Sequence, residues 1–205
     1  MEKIKVFISC PSDVEEEFLR DIIKAIDNLN IAIRSFEKEF EPIHYTTKLT
    51  SRKCVPRIQD EINSYLTDCE IAICLLWARF GSPPGKDIEG NTYGSGTEEE
   101  MLRAIKLMPK YVSLLLCHRP IDPHEIDNDQ HKNVIEFIGR IEKGKQVFHQ
   151  PFKDAEELRT RIMEILSNYI EENKGLTAVD QKEIRSTEEG NSSVEFKKFN
   201  RGFDE

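Results

Sequence analysis

The stretch "EIAICLLWARFG" (Glu70–Gly81) decides the fold. From Ile71 to Trp77 every side chain is apolar, so no face of this segment is written for water. A strand that is apolar on both faces belongs at the centre of a parallel sheet covered by helices on each side. Glu70 and Gly81 bound it, and it is the strongest strand pattern in the chain.

Outward from that strand, apolar strand patterns alternate with helical ones. Upstream, "KIKVFIS" (Lys3–Ser9) predicts a first buried strand, broken by "CPSD". Val14, Phe18, Ile22, Ile26 and Leu29 then follow at helical spacing, with Ser12 and Glu15 in the S-x-x-E arrangement of a capping box. "IAIRSF" (Ile31–Phe36) predicts a second strand, and "EKEFEPIHYTTKLT" a polar loop. Val55, Ile58, Ile62, Tyr65 and Leu66 predict an amphipathic helix from Cys54 to Thr67. Downstream, a helix is expected from Thr97 to just before Pro109, and "KYVSLLLC" (Lys110–Cys117) as another buried strand. "HKNVIEFIGRIEK" then reads as helix, "QVFHQPF" as a short or edge strand, and a long last helix is capped by Asp154. This alternation predicts an α/β fold: a three-layer, doubly wound, mostly parallel sheet of flavodoxin-like outline. Residues 1–173 are expected to form the domain, and 174–205 a polar tail or linker poor in large apolar residues.

Composition narrows the function classes. A net charge of −9 over 205 residues argues against a broad nucleic-acid or anionic-membrane surface, while leaving room for a local anion pocket. No run approaches the roughly 18 apolar residues of a membrane span, and the first residues carry no secretory apolar region. The expectation is therefore cytoplasmic. Five scattered cysteines (Cys10, Cys54, Cys69, Cys74, Cys117) show neither zinc spacing nor a disulfide framework, so no metal is expected. They read as reduced and structural, with Cys10 a candidate reactive thiol.

In an open parallel sheet, ligands collect beyond the carboxyl ends of the strands where strand order reverses. Three segments should meet there. The first, Ser9–Asp13, offers Ser9, Cys10, Ser12 and Asp13 beside a helix start. The second, Trp77–Gly96, offers Trp77, Phe80 and Tyr93 for stacking, Arg79 for an anion, and Gly81 among five glycines that allow close backbone approach. The third is the helix at Thr97, with Glu98, Glu99 and Glu100. Each has a plainer reading: Ser12 and Asp13 as caps, Trp77 as core, the glycine-rich loop as a surface excursion. Glu98 and Glu99 suit the helix dipole, with Glu99 directed toward solvent. Thr97 to Glu100 has the T-x-x-E spacing of a capping box, so Glu100 is either a cap or a working carboxylate.

"VFISCPSDVEEE", "DCEIAICLLWARFGS", "YGSGTEEEMLRAI" and "FKDAEELRTRIMEIL" resemble the TIR-like domains found at the N-terminus of STAND and NACHT ATPases. The likeness covers roughly residues 3–172, and those domains are similar in outline to TIR domains and to nucleoside 2-deoxyribosyltransferases. The TIR pattern W-C-x-x-E and the deoxyribosyltransferase pattern G-T-x-x-E both align their catalytic glutamate with Glu100. Gly96 and Thr97 stand where the TIR pattern has Trp and Cys, a departure that bears on NAD specificity.

The resemblance implies cleavage of the N-glycosidic bond of NAD by Glu100, with NAD as substrate and no cofactor required. Ser9, Cys10, Ser12, Asp13, Trp77, Arg79, Phe80, Gly81, Tyr93 and Thr97 would contact the nucleotide. It further implies activation by self-association in a defence or cell-death pathway, and a STAND- or NACHT-type sensor as partner. A non-catalytic interaction or nucleotide-signal-binding module, and a nucleoside deoxyribosyltransferase or hydrolase, are the alternatives.

Overall fold

β3 (Ile71–Leu76) is buried at all six positions and divides its side chains between two cores. Ile71, Ile73 and Leu75 enter one apolar cluster, and Ala72, Cys74 and Leu76 enter the other. This comes from a computed structural model that describes residues 1–48, 56–108, 111–144 and 147–173. Cys54, Val55, Pro109, Lys110, Gln146 and the tail 174–205 lie outside the described residues.

Five strands form one parallel sheet in the order β2-β1-β3-β4-β5, with β1 (Glu2–Ser9), β2 (Lys38–Ile43), β4 (Val112–Cys117) and β5 (His149–Phe152) around β3. That is the flavodoxin-like doubly wound order, so the fold class expected from the alternating pattern is the one observed. α1 (Ser12–Ile33) and α6 (Ala155–Glu172) cover one face through Phe18, Ile22, Ile26, Leu158, Ile162 and Leu166. α3 (Ile58–Thr67), α4 (Gly96–Leu107) and α5 (Asn128–Gly144) cover the other. Both edge strands carry a proline: Pro42 stands beside Val6, and Pro151 beside Leu116.

Three local expectations are corrected. "IAIRSF" is not a strand, because α1 runs on to Ile33 and a 3₁₀ turn (Arg34–Phe36) follows. Leu29 and Ile33 continue the buried stripe at a spacing of four while Ile31 is 74% exposed, which is helical periodicity rather than alternation. Glu37 at φ 57° then reverses the chain, and β2 lies in what read as polar loop. Asn30 aligns it, donating to the Phe40 carbonyl (2.8 Å) and accepting from the Phe40 amide (2.7 Å). A short helix, α2 (Tyr45–Lys48), follows.

Second, Ser12 does not cap α1. Pro11 is the N-cap, in extended conformation, and its carbonyl accepts from the amides of Val14 and Glu15. Third, α3 turns Ile58 to solvent and buries Gln59 and Asn63 beside Ile62 and Leu66. Its inner face is partly polar because the groups it meets on α4 are charged.

Asp154 does cap α6, its Oδ1 accepting from the amides of Glu156 (3.0 Å) and Glu157 (2.9 Å). Asp154→Ala is expected to lose about 1 kcal/mol, lowering the melting temperature by roughly 2–4 °C in a thermal scan. Among the described residues no helix is long and apolar enough to cross a membrane.

Candidate functional site

Strand order reverses between β1 and β3, so the crevice beyond their carboxyl ends is where this fold places ligands. β1 ends there in Ser9, and α1 leaves on one face of the sheet while α4 arrives on the other. Ser95, not Thr97, caps α4: its side chain accepts from the Glu98 amide (3.0 Å), and Glu98 in turn accepts from the Gly94 amide (2.5 Å). Reciprocal capping therefore sits at Ser95–Glu98, two residues earlier than the T-x-x-E spacing suggested. Thr97 is a buried residue of the first turn, and Glu100 has no capping role.

All three glutamates are buried, which corrects the expectation that Glu99 faces water. Glu98 pairs with Arg140 of α5 (2.5 Å). Glu99, 0% exposed, is held bidentately by Arg57 and also by Arg103 (3.0 Å) and Asn63 (2.8 Å). Glu100 differs. Ser9 Oγ donates to one carboxyl oxygen (2.5 Å) and Gln59 Nε2 to the other (2.8 Å), and among the described residues no cation pairs with it. Burial pushes its pKa up to about 7, against the two hydrogen bonds and with help from neighbouring Glu99.

The negative character extends along the strand ends. Asp13 Oδ2 accepts from the amides of Ala78 and Arg79 (2.9 Å each), tying α1 to the chain leaving β3. Its Oδ1 is buried without a hydrogen-bond partner among the described residues. Burial, then Glu15, Glu100 and Asp13, push the Cys10 thiol well above the ordinary thiol range, which disfavours its thiolate form. Its Sγ lies 3.5 Å from His44 Nε2. His44 Nδ1 faces the Thr46 hydroxyl (2.8 Å) and accepts from the Thr46 amide (3.4 Å), which assigns the ring proton to Nε2. Burial holds His44 below its ordinary value against the opposing pull of Glu15.

The expected site residues divide. Ser9, Cys10, Asp13 and Glu100 converge at the switch point, and exposed Arg79 is joined to Asp13 through its amide. Ser12 is exposed on the first turn of α1. Trp77 is half-buried, donates to the Arg119 carbonyl (3.0 Å) and carries the Arg119 guanidinium 5.8 Å from its ring centre, so one ring face is covered. Phe80 is corrected from stacking platform to core: it is 2% exposed and packs on Phe137 with ring centres 5.3 Å apart. Gly81, at φ 96°, and Phe80 both donate to Gln130 (2.9 Å). Tyr93 bonds Asp87, which pairs with Arg103, so it braces the glycine-rich loop rather than the crevice.

Gln59, Asn63, Arg57, His44 and Tyr45 were not foreseen, and Glu15 was read only as half of a capping box with Ser12, which does not cap α1. Of the unforeseen residues, only Gln59 and Asn63 left a trace, as a polar i, i+4 pair within an amphipathic helix. Gly96 is needed beside Gln59: a Cβ there would come within 2.6 Å of Gln59 Oε1. Gly96→Ala is expected to displace that flexible amide with little loss of stability. Glu100 would lose a donor that favours its ionised form, so its carboxyl should titrate at still higher pH by ¹³C NMR.

Among the described residues no group of three or more His, Cys, Asp or Glu is arranged to hold a metal ion. A cavity of 210 Å³ opens at the opposite, amino-terminal edge of the sheet, lined by Tyr111, Ser113, Phe148, Gln150 and Asn168 among others. It shares no residue with the Glu100 cluster.

No curated protein matches the chain. Among solved structures, it is similar to translation elongation factor SelB from Methanococcus maripaludis bound to the GTP analogue GppNHp, at 14% identity and a TM-score of 0.41. That match covers 82% of this chain and 34% of the elongation factor's, about a third of its length. RosB with its bound intermediate 8-demethyl-8-formylriboflavin-5'-phosphate is similar at 8% identity and a TM-score of 0.32, over 92% of this chain and 88% of that one. Likeness at this level carries no functional argument. One family pattern does extend over the sheet and both helical layers, from β1 to the last turns of α6: it matches residues 5–167, and the chain belongs to that family, the domain of unknown function DUF4062.

Proposed function

We propose that the edge around Ser9 and Glu100 cleaves the N-glycosidic bond of NAD, releasing nicotinamide. The observation that carries this reading is Glu100 itself: a buried carboxyl at the switch point, without a cation among the described residues, next to Glu98 and Glu99, which both pair with arginines. Bond cleavage at a ribosyl carbon builds positive charge on the sugar, and an uncompensated carboxylate stabilises that charge or attacks it. Nicotinamide leaves from a cationic form, so the C–N electron pair departs with a neutral product and no acid is required. The exposed Arg79 suits a phosphate. The likeness to TIR-like domains supports the same chemistry. It also supports activation by self-association, attachment to a STAND- or NACHT-type sensor, and a role in defence or cell death.

The test is direct. The full chain, alone and as a forced oligomer, is incubated with NAD and the products are separated by chromatography. Absence of nicotinamide, or release unaffected by Glu100→Gln, sinks the proposal.

A second reading, a nucleotide-signal-binding module without turnover, is favoured by one observation: Ser9 and Gln59 already occupy both oxygens of Glu100. Thermal stabilisation by NAD, ADP-ribose or a cyclic nucleotide, with no product formed, distinguishes it.

A further inference from the structure

We infer that Glu15 is a second catalytic carboxylate of the Glu100 site, taking the proton from the water that resolves a ribosyl–enzyme ester. This rests on the reading just given and assigns its second half-reaction.

A continuous path of contacts joins the two acids across the end of β1. Ser9 donates to Glu100, and the next residue, Cys10, meets His44 at 3.5 Å. The His44 ring lies 4.5 Å from the ring of Tyr45, and the Tyr45 hydroxyl donates to Glu15 in the first turn of α1. Glu15 and Glu100 thus lie on helices from opposite faces of the sheet, on either side of Ser9, the last residue of β1, and Cys10, which follows it. The Cys10 thiol registers both: after burial, Glu15 and then Glu100 push it upward.

Charge pairing separates these two from Glu98, Glu99 and Asp87, while Asp13, held by backbone amides, likewise has no cation among the described residues. Glu98 has Arg140, Glu99 has Arg57 and Arg103, and Asp87 has Arg103. Among the described residues neither Glu15 nor Glu100 has a cationic partner; their donors are hydroxyls and one amide. Their surroundings differ in the way two half-reactions need. Glu100 is buried, where an attacking carboxylate gains from exclusion of water. Glu15 is half-exposed, where water reaches it, and the Tyr45 phenol fixes one of its oxygens.

The step balances. In the first half-reaction a Glu100 oxygen bonds to the anomeric carbon as the C–N bond breaks and nicotinamide takes the electron pair. In the second, Glu15 removes a proton from water while the water oxygen bonds to that carbon. The ester C–O pair returns to Glu100 as carboxylate, and Glu15 then loses its proton to solvent. Base assistance of this kind contributes about 10²–10⁴-fold.

Rapid-quench measurement of nicotinamide release from NAD tests the assignment. Glu15→Gln is expected to give a burst of one nicotinamide per site, followed by turnover at least ~100-fold slower than wild type. Azide, which attacks without a base, should restore turnover and yield the ribosyl azide, and Glu15→Asp should recover part of the rate. Glu100→Gln should show neither burst nor azide rescue. A Glu15→Gln rate close to wild type, a missing burst or an absent azide effect overturns the role of Glu15. With release still dependent on Glu100, only this inference fails. Release that is absent, or independent of Glu100, overturns the parent reading and this one with it.

Discussion

Glu100→Gln is expected to abolish nicotinamide release, by about three orders of magnitude or more, and at the same time to make the protein more stable at pH 8. The two effects share a cause. Folding raises the Glu100 carboxyl from 4.5 to about 7 through burial, so the folded state holds a proton that the unfolded chain releases across that window. Its favourable contribution is complete below about pH 4.5 and is lost as pH rises through 7. Above that, the buried ionised carboxylate destabilises the fold by up to roughly 3 kcal/mol. A glutamine has the same shape, accepts from Gln59, donates to Ser9 and does not titrate. Thermal scans should show Glu100→Gln and wild type alike near pH 4.5 and separated by as much as roughly 6–12 °C at pH 8. Equal melting temperatures at pH 8 would mean that Glu100 is not under the strain described. A stable but inactive variant would mark a residue kept for chemistry at the expense of the fold.

Arg57→Ala is expected to have the largest destabilising effect of any single substitution described here. Arg57 is the residue from which α3 starts, and its guanidinium engages Glu99 bidentately, Asp60 at 2.6 Å, and the carbonyls of Pro84 (3.0 Å) and Gly85 (3.2 Å). Removing one partner of a buried ion pair costs about 3–5 kcal/mol, because the remaining charge is stranded out of water. Arg103 and Asn63 still reach Glu99, so a value near ~3 kcal/mol is expected in urea denaturation. The double variant Arg57→Met with Glu99→Gln should lose less than the two single changes together, since neither charge is then stranded. Hydrogen exchange around Gly85 should accelerate in Arg57→Ala, because the loop carbonyls lose their tether.

The sheet was legible because its centre is written without ambiguity. Ile71–Leu76 has apolar residues for two cores, and the alternation on either side of it leaves little choice of topology. Boundaries were less legible where two periodicities overlap. Ile31 and Ile33 satisfy strand alternation, but Ile33 also completes a helical stripe, and packing against the sheet favours the helix. Ser95–Glu98 and Thr97–Glu100 both have capping-box spacing, and only the path of the loop selects the first. The burial of the glutamates was not legible at all. It depends on Arg57 and Arg140, each 42 residues from its partner, and no local pattern announces pairing at that distance. The position of Glu100 could be read from the sequence; that no cation among the described residues pairs with it could not.

The prolines at the two margins of the sheet have a consequence for assembly. Pro42 in β2 and Pro151 in β5 each remove a backbone donor from a strand that ends the sheet, and Lys38, Glu39 and Glu41 add charge along the first of these borders. A neighbouring copy that tried to extend the hydrogen-bonded ladder would meet missing amides on either side. The self-association proposed above would then run through contacts between helical layers, so substitutions on helix surfaces, rather than along the strand borders, are the ones expected to tune it.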